Sequence, residues 1–487
     1  MMQTLLLGAI IVSLAWGAFV FGAVYTWAFT PLAIALAAIG LAALVTGRKG
    51  RPPIAGLAAA LGAFAVCVSL QLVPLPASVL ARVSPGTDGF LRLYDLSYIS
   101  ATTPDPRGEL PTAEPRRPIS IAPRNTAVGL GLFGAFAVFA LGCARLFSRT
   151  SVRQIAGATL WLGVSLAAVG IVQDLAIGRE VHMKVYGFWQ TQAGGNPFGP
   201  FINRNHFAGW MLMAFPLAVA LVVDQIERAL AAMPRESGRG VLELASSPEG
   251  GRIVMTAVAC MVMGLSLAMT RSRSGVAAFG VSAALLTWCI VRRQASVRAR
   301  MVVGAAIVAV VGVAMLGAGL NTALGRFAAS DTAAGDQTSV GSLGGRLNIW
   351  RDTVAMAKLS PLTGQGLNSY GTGTIVFQAR ERTLHYNEAH NDYLQLAAEG
   401  GALLCVPVLA AIGVLVALVR RRFREAPHSG TTYWVRIGAA VGLVSIAVQS
   451  AFDFSLQMPG NAALFAMLVG VALHQSPNLR QRLSTGR

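Results

Sequence analysis

Long apolar runs alternate with polar connections along the whole chain. Runs near the ~20 residues that an α-helix needs to cross a bilayer occur twelve times. They predict twelve transmembrane helices, although the first two runs could together form one re-entrant unit. The runs lie at about residues 4–24, 29–46, 54–74, 126–147, 155–176, 206–223, 252–270, 274–292, 301–319, 401–419, 435–453 and 457–474.

Three polar segments are much longer than the other connections. Residues 75–125 are rich in proline and arginine, which predicts an irregular loop. Residues 177–205 end in GGNPFGPFINRNHFAGW, and residues 320–400 hold the longest charged stretch of the chain. Loops as long as residues 320–400 usually have a function of their own. We therefore expect this large, partly helical loop to carry the chemistry.

The composition indicates an integral membrane protein. Hydrophobic residues make up 54% of the 487 residues and charged residues 12%, against about 25% charged in soluble domains. The net charge of +18 does not indicate nucleic-acid binding, because the basic residues lie between apolar runs rather than on one soluble face. The five cysteines all lie in apolar segments without metal-ligand spacing, which supports neither disulfides nor zinc. The fold class predicted is therefore an all-α, polytopic membrane domain over residues 1–487.

The distribution of lysine and arginine predicts the orientation. With the N-terminus inside, short cytoplasmic connections receive basic clusters such as residues 48–51, 292–300 and 420–424. Both termini are then cytoplasmic, and the three long segments lie on the outer face. The first apolar run lacks a basic leader and a small-residue cleavage site, so we expect a retained helix rather than a signal peptide.

Known energy-coupling motifs are missing from the sequence. No HExxH, no DxD in an outer loop and no GxxxxGK[ST] occurs, so we expect neither metal, nucleotide nor another cofactor. Ion-coupled transporters place charges near the membrane midplane, whereas Asp174 and Asp453 lie near the outer ends of their spans. An energy source would have to be part of the substrate itself.

Arginines from several outer connections are candidates for binding phosphate. Arg271 and Arg273 lie in the short TRSRSG turn, Arg346 in GGRLNIWRD, and Arg204 before the sixth run. A guanidinium is always charged, and its planar fork of donors suits phosphate oxygens. The turn arginines could instead bind ordinary anionic lipid. Arg351 fits better on the wet face of an amphipathic helix.

His390 is the candidate general base. It precedes a predicted helix that enters the membrane after Gly401, and the positive end of a helix dipole disfavours imidazolium. A neutral imidazole can take a proton from a hydroxyl. Asp392 or Glu399 could orient it or bind a sugar hydroxyl. The alternative is that His390 and Asn391 only cap the helix.

Two other histidines, His385 and His206, are not expected to act as the base. His385 lies in a polar run and is predicted to be solvated. His206 follows Asn203, Arg204 and Asn205, and we expect Asn205 to cap the sixth helix there.

The combination of motifs resembles the O-antigen ligase and O-antigen polymerase superfamily. The resemblance rests on TRSRSG, GGRLNIWRDTVAMAKLSPLTGQGLNSYG and HNDYLQLAAEGG, and covers about residues 196–420. It implies a metal-independent, C-type membrane glycosyltransferase. By motif position it implies that Arg273 and Arg346 engage a diphosphate, with Arg204 a weaker match, and that His390 is the base. The NRNHFAG and FDFSLQMPGNA blocks are similar to a subgroup pattern without an assigned role.

The resemblance also implies the substrates and the location. The donor would be a glycan on undecaprenyl diphosphate and the acceptor a hydroxyl of lipid A–core or another glycan, at the periplasmic face of the bacterial inner membrane. A ligase is favoured slightly over a polymerase for O-antigen or exopolysaccharide, and the segments 75–125 and 177–205 would bind the acceptor. A transporter of lipid-linked sugars and a non-catalytic envelope scaffold are the alternatives from other classes.

Overall fold

Helices dominate the protein. The computed structural model describes residues 1–46, 54–103, 114–177, 184–191, 196–232, 246–293, 343–379, 385–425 and 430–474. The helices are α1 Met2–Phe19, α2 Thr26–Thr46, α3 Ala55–Leu70, α4 Ala77–Val83, α5 Pro85–Tyr94, α6 Leu96–Thr102, α7 Pro123–Leu146, α8 Arg149–Ile177, α9 Arg204–Ala232, α10 Pro248–Met269, α11 Arg273–Arg293, α12 Leu343–Leu359, α13 Tyr370–Phe377, α14 Asp392–Glu425, α15 Gly430–Gln449 and α16 Pro459–Leu473. Two small antiparallel pairs accompany them: β1 Leu75–Pro76 with β2 Arg116–Arg117, and β3 Lys184–Val185 with β4 Trp189–Gln190.

The apolar runs of the sequence form the membrane bundle. Within the described ranges, nine helices are long and apolar enough to cross a membrane, and the shorter α3 and α16 occupy two further predicted runs. The run predicted at 301–319 lies outside the described residues. The all-α, polytopic class is therefore confirmed. The first two runs form separate helices, α1 and α2, joined by a 3₁₀ turn at Phe21–Ala23.

The segment 75–125 is more regular than predicted. Three short helices, α4 to α6, replace the irregular loop expected from its proline and arginine content. Pro85 begins α5 where its missing N–H costs nothing. The Asp95 side chain caps α6 by accepting from the backbone N–H groups of Ser97 and Tyr98. The proline-rich centre of the segment, residues 104–113, lies outside the described residues.

These short helices pack against the large loop that contains α12 and α13. The Ser360 hydroxyl accepts from the Gly86 N–H at 3.0 Å, and the Thr363 hydroxyl donates to the Val83 carbonyl at 3.0 Å. The buried Gln71, just after α3, donates to the carbonyls of Thr363 and Glu399, both at 2.9 Å. Two outer segments and the start of α14 are thereby fastened together.

A buried arginine joins three helices at the opposite end of the bundle. Arg436, near the start of α15, is fully buried. Its guanidinium donates to the carbonyls of Ala472 in the last turn of α16, of His474 just after α16 and of Arg422 on α14. Helix C-termini leave carbonyls without intrahelical partners, and one side chain with five N–H donors satisfies several of them.

Small residues allow the helices to approach closely. The clearest case is α1 against α16, where a Cβ added to Gly460 would lie 2.1 Å from the carbonyl oxygen of Gly17. No side chain fits in that space without separating the two helices. The start of α16, which lies beside the polar site described below, therefore depends on this glycine.

We expect Gly460→Ala to destabilise the protein by about 1–3 kcal/mol, as overpacking typically does. The measurement is the midpoint of thermal unfolding in detergent. Gly413→Ala on α14 is the matched control, because nothing lies within 4 Å of its added Cβ. Equal midpoints for the two variants would contradict the packing assigned to Gly460.

Candidate functional site

A buried carboxylate lies at the centre of the polar site. Asp453 is in the connection between α15 and α16 and is fully buried. One carboxylate oxygen lies 3.5 Å from Nη2 of Arg346, and the other lies 3.8 Å from Nδ1 of His390. Asn205 donates a hydrogen bond to it from its side-chain amide. Four distant parts of the chain thus meet at one acidic group.

The directions of the helices bring these residues together. Asn205 bonds to Asp453 and the Asp392 N–H bonds to Ser450, so the starts of α9 and α14 lie against the connection between α15 and α16. Two hydrogen bonds fix α14 to α15 there: the Asp392 N–H donates to the Ser450 carbonyl at 2.9 Å, and the Tyr393 hydroxyl donates to the Ala447 carbonyl at 2.7 Å. These contacts set the position of His390 relative to Asp453.

His390 does not cap its helix. Asn391 does so, because its side-chain oxygen accepts from the N–H groups of Tyr393 at 3.1 Å and Leu394 at 3.0 Å. His390 has a φ of 51°, a left-handed conformation that few non-glycine residues adopt. This conformation accompanies a ring placed edge-on to Phe454, 4.9 Å between centroids, with Nδ1 toward Asp453. At 3.8 Å that contact is electrostatic rather than a hydrogen bond.

The start of α9 differs from the prediction. The expected cap was Asn205, but Asn203 caps the helix by accepting from the Asn205 N–H at 2.9 Å. This arrangement leaves the Asn205 side chain to bind Asp453. His206 is buried with its ring 4.7 Å from that of Phe454, so Phe454 lies between two imidazoles.

The connection that carries Asp453 is tied firmly to α9. The Asn205 carbonyl accepts from the side chains of Gln449 and Ser455, both at 3.0 Å. Asn461 on α16 donates to the carbonyls of His206 at 3.0 Å and Ser455 at 2.8 Å. The backbone around Asp453 is therefore held from two helices.

Arg346 is the predicted arginine that enters the centre of the site. It lies on α12, its side chain is 14% exposed, and it contacts Asp453 directly. Arg273 is exposed and is the first residue of α11, while Arg271 is half-buried with a φ of 54° in the preceding turn. That turn packs on α9, since a Cβ on Gly275 would lie 2.8 Å from the Cβ of Ala208. Arg204 begins α9 and is half-buried.

The other two predicted carboxylates bind protein groups rather than His390. Glu399 is buried and accepts from the N–H groups of Asn368 at 2.8 Å and Tyr370 at 3.0 Å, at the start of α13. Asp392 accepts from the Gln457 side chain at 2.7 Å. Glu399 thus fixes the large loop against α14, and Asp392 fixes the connection after α15.

The remaining predicted residues lie at the surface. His385 is exposed, as predicted, and Arg351 lies on the exposed face of α12, also as predicted. Within the described part of the chain, no group of three or more His, Cys, Asp and Glu side chains has an arrangement suited to a metal ion.

The carboxyl groups of Asp453 and Glu388, which lie in connections outside the membrane helices, have shifted pKa values. Burial alone would raise the pKa of Asp453, but His390, His206 and Arg346 outweigh it and hold that pKa below its ordinary value. Asp453 is therefore ionised at neutral pH. Burial raises the pKa of Glu388 to about 7, and the nearby carboxylates of Glu399 and Asp453 add to this shift. Glu388 precedes His390 by two residues and was not among the predicted site residues.

Asp453 was the central residue that sequence reasoning missed. It was assigned only to the outer end of a span, although the FDFSLQMPGNA block around it was noted. The available signal was an acidic residue at the border of an apolar run, where burial of a carboxylate requires a cationic partner. Nothing in the sequence identifies Arg346 and His390 as those partners, because they are 107 and 63 residues away.

Fold and site together define a polytopic, all-helical membrane protein whose polar site lies where several helix ends meet at one face. Residues 258–409 match the family model described as O-antigen ligase. This segment of the chain is thus similar to the O-antigen ligase and polymerase superfamily, whose members are glycosyltransferase-like ligases or polymerases. No curated protein matches the chain. The matched region contains Arg346 and His390, whereas Asn205 and Asp453 lie outside it.

Replacing Glu388 should change how stability depends on pH. Its folded pKa of about 7 exceeds the ~4.3 of an unfolded glutamate. Its contribution to stability is therefore fully present below about pH 4 and is lost as pH rises through about 7. We expect Glu388→Gln to become progressively more stable than the wild type between pH 5 and pH 8 in thermal unfolding. The exposed Glu249→Gln is the control, and a difference that stays constant over this range would contradict the assignment.

Proposed function

We propose that the protein transfers a glycan from undecaprenyl diphosphate to an acceptor hydroxyl at the periplasmic face of the bacterial inner membrane, as an O-antigen ligase-type enzyme. The observation that carries the proposal is the cluster of His390, Arg346 and Asp453. An imidazole and a guanidinium lie beside one buried carboxylate in this cluster. We infer that the imidazole accepts a proton and that the guanidinium binds phosphate. The match of residues 258–409 to the O-antigen ligase family model supports the same chemistry.

His390 is the general base in this mechanism. With Nδ1 protonated and directed at Asp453, Nε2 is free to accept the proton of the acceptor hydroxyl. The acceptor oxygen then forms a bond to the anomeric carbon of the donor, and the bond from that carbon to the diphosphate breaks. Asp453, which stays ionised, stabilises the imidazolium that forms, as the acidic member of a catalytic triad does.

Arginines stabilise the leaving group. Charge develops on the diphosphate as its bond to the sugar breaks, and fixed guanidinium groups lower the energy of that charge. Arg346 is held next to His390 by Asp453, and Arg273 begins α11 on the same face. Arg271 and Arg204 lie in neighbouring segments and extend the positive region. The mechanism requires no metal ion, because these guanidiniums supply the charge.

A polymerase that joins lipid-linked repeat units, for O-antigen or an exopolysaccharide, is the second candidate. It uses the same base and the same diphosphate clamp, so the two reactions differ only in the acceptor. The ligase is favoured because the resemblance is stronger over the large loop and the His390 block. A transporter or scaffold would leave the His390–Asp453 pair without a role.

Replacing the base should nearly abolish transfer. We expect His390→Ala to lower the rate by about 10²–10⁴-fold, the usual contribution of a general base. The measurement is transfer of labelled glycan by purified protein in lipid nanodiscs. His385→Ala, an exposed histidine five residues earlier, is the control and should retain wild-type activity. Full activity in a correctly inserted His390→Ala variant would support the scaffold instead.

Arg346→Lys should also be strongly impaired, because lysine keeps the charge but loses the planar fork that binds two oxygens at once. Arg351→Lys, on the exposed face of the same helix, should behave like the wild type. The assay is the same transfer reaction, with the KM for the lipid-linked donor measured for both variants. Equal KM and kcat in the two variants would rule out the clamp.

A gel of surface and lipid-linked polysaccharide from a strain without this gene separates the candidate reactions. A ligase predicts long polymer that remains on undecaprenyl diphosphate, with none on lipid A–core. A polymerase predicts single repeat units in place of long chains. An unchanged pattern, for exopolysaccharide as well, would contradict both.

A further inference from the structure

Six aromatic residues form a continuous surface beside the polar site. We call this surface the aromatic shelf. It consists of Phe21, Tyr25, Trp27, Tyr186, Phe188 and Trp189. Half of it comes from the turn between α1 and α2, and the other half from the hairpin of β3 and β4. The catalytic proposal above uses none of these residues.

The rings of the shelf are packed on one another, with Phe21 buried beneath them and Trp27 and Phe188 open to the surface. Tyr25 and Trp27 are stacked with an interplanar angle of 6°, and Tyr186 and Phe188 are stacked with an angle of 15°. Phe21 and Trp189 join the two stacks, with 4.8 Å between their centroids. Trp27 is 52% exposed and Phe188 is 72% exposed. The shelf is thus a preformed apolar surface rather than a buried core.

The polar tips of the shelf point into the protein. The Trp189 indole N–H donates to the Tyr25 hydroxyl at 2.9 Å, and the Tyr186 hydroxyl donates to the Phe19 carbonyl at 2.5 Å. Aromatic residues that anchor a protein at the membrane interface keep an apolar ring in lipid and a wet polar tip among the head groups. Here two of the tips are bound within the protein, which does not fit that role.

The backbone below the shelf is strained. Phe21, Ala23 and Tyr186 all have φ near 55°, in the left-handed region. Such conformations cost about 1–3 kcal/mol each and are concentrated at functional sites. Three of them occur in the two turns that carry the shelf. The fold therefore maintains this arrangement of rings at a cost in stability.

The shelf is packed against the elements that build the site. A Cβ on Gly22 would lie 2.9 Å from the ring of Phe201, which packs edge-on against Phe207, the residue after His206. A Cβ on Gly460 would lie 3.1 Å from the Gly22 carbonyl, and the next residue, Asn461, binds the carbonyls of His206 and Ser455. These buried contacts hold the shelf at the same face of the bundle as the site around Asp453.

We propose that the aromatic shelf binds pyranose rings of the acceptor glycan and directs their hydroxyl to His390. The C–H groups on one face of a pyranose carry slight positive charge, which complements the negative face of an aromatic ring. The occupant is the acceptor because the donor already has a diphosphate and a polyprenyl tail to hold it. An acceptor glycan offers only ring faces and hydroxyls. The identification of this glycan as acceptor rests on the proposed transfer function.

Binding of free oligosaccharide tests the shelf without requiring catalysis. The probes are the delipidated core oligosaccharide and a single polymer repeat unit, both released from the producing bacterium. Each is titrated by calorimetry into full-length protein in lipid nanodiscs. We expect Trp27→Ala and Phe188→Ala each to weaken binding of one probe by about 3–10-fold, the range of a single aromatic contact. Trp161→Ala on α8, which removes a tryptophan of matching 53% exposure, should have no effect.

Kinetics then identify which substrate occupies the shelf. In the transfer assay we expect the shelf variants to raise the KM for acceptor and leave the KM for donor unchanged. A raised KM for donor alone would contradict the assignment to the acceptor. Absence of probe binding to the wild type, or equal binding by all variants, would overturn the proposal. Shelf-dependent binding by a protein that shows no transfer would retain the shelf as a glycan site and contradict the proposed function.

Discussion

The site depends on the need to neutralise one buried charge. A carboxylate removed from water is strongly unfavourable unless cations and hydrogen-bond donors surround it. Asp453 meets this requirement with Arg346, His390 and Asn205, which come from the large loop, the start of α14 and the start of α9. Because each partner lies on a different element, the electrostatics of one residue determine how those elements sit against each other.

The same requirement explains why the surrounding polar groups are structural. Asn203 and Asn391 cap their helices, Glu399 holds the start of α13, and Asn461 binds two carbonyls beside Asp453. None of these side chains takes part in the proposed proton transfer. They fix backbone positions, so that the His390 imidazole and the Arg346 guanidinium meet the carboxylate without further adjustment.

The sequence predicts more of the fold than of the site. Runs of about 20 apolar residues identify membrane helices directly, since the bilayer demands length and hydropathy and little else. The helices α4 to α6 were missed because the proline and arginine content of residues 75–125 indicates an irregular loop, although Pro76 precedes α4 and Pro85 begins α5. Arg346 and His390 were found through motifs, but their pairing through Asp453 depends on packing between residues far apart in sequence. Asn205 and the nearby Asn203 both favour the N-cap position of a helix, so the sequence does not show which of them caps α9.

The O-antigen ligase match ends at residue 409, before the carboxylate that joins its key residues, and begins after the asparagine that supports it. The matched region therefore contains two of the four residues that meet in the polar site and lacks the other two. A chimera that exchanges residues 258–409 between two such proteins would combine an arginine and a histidine from one parent with an aspartate from the other. Compatibility between such parents would depend on the connection after α15 and on the first turn of α9.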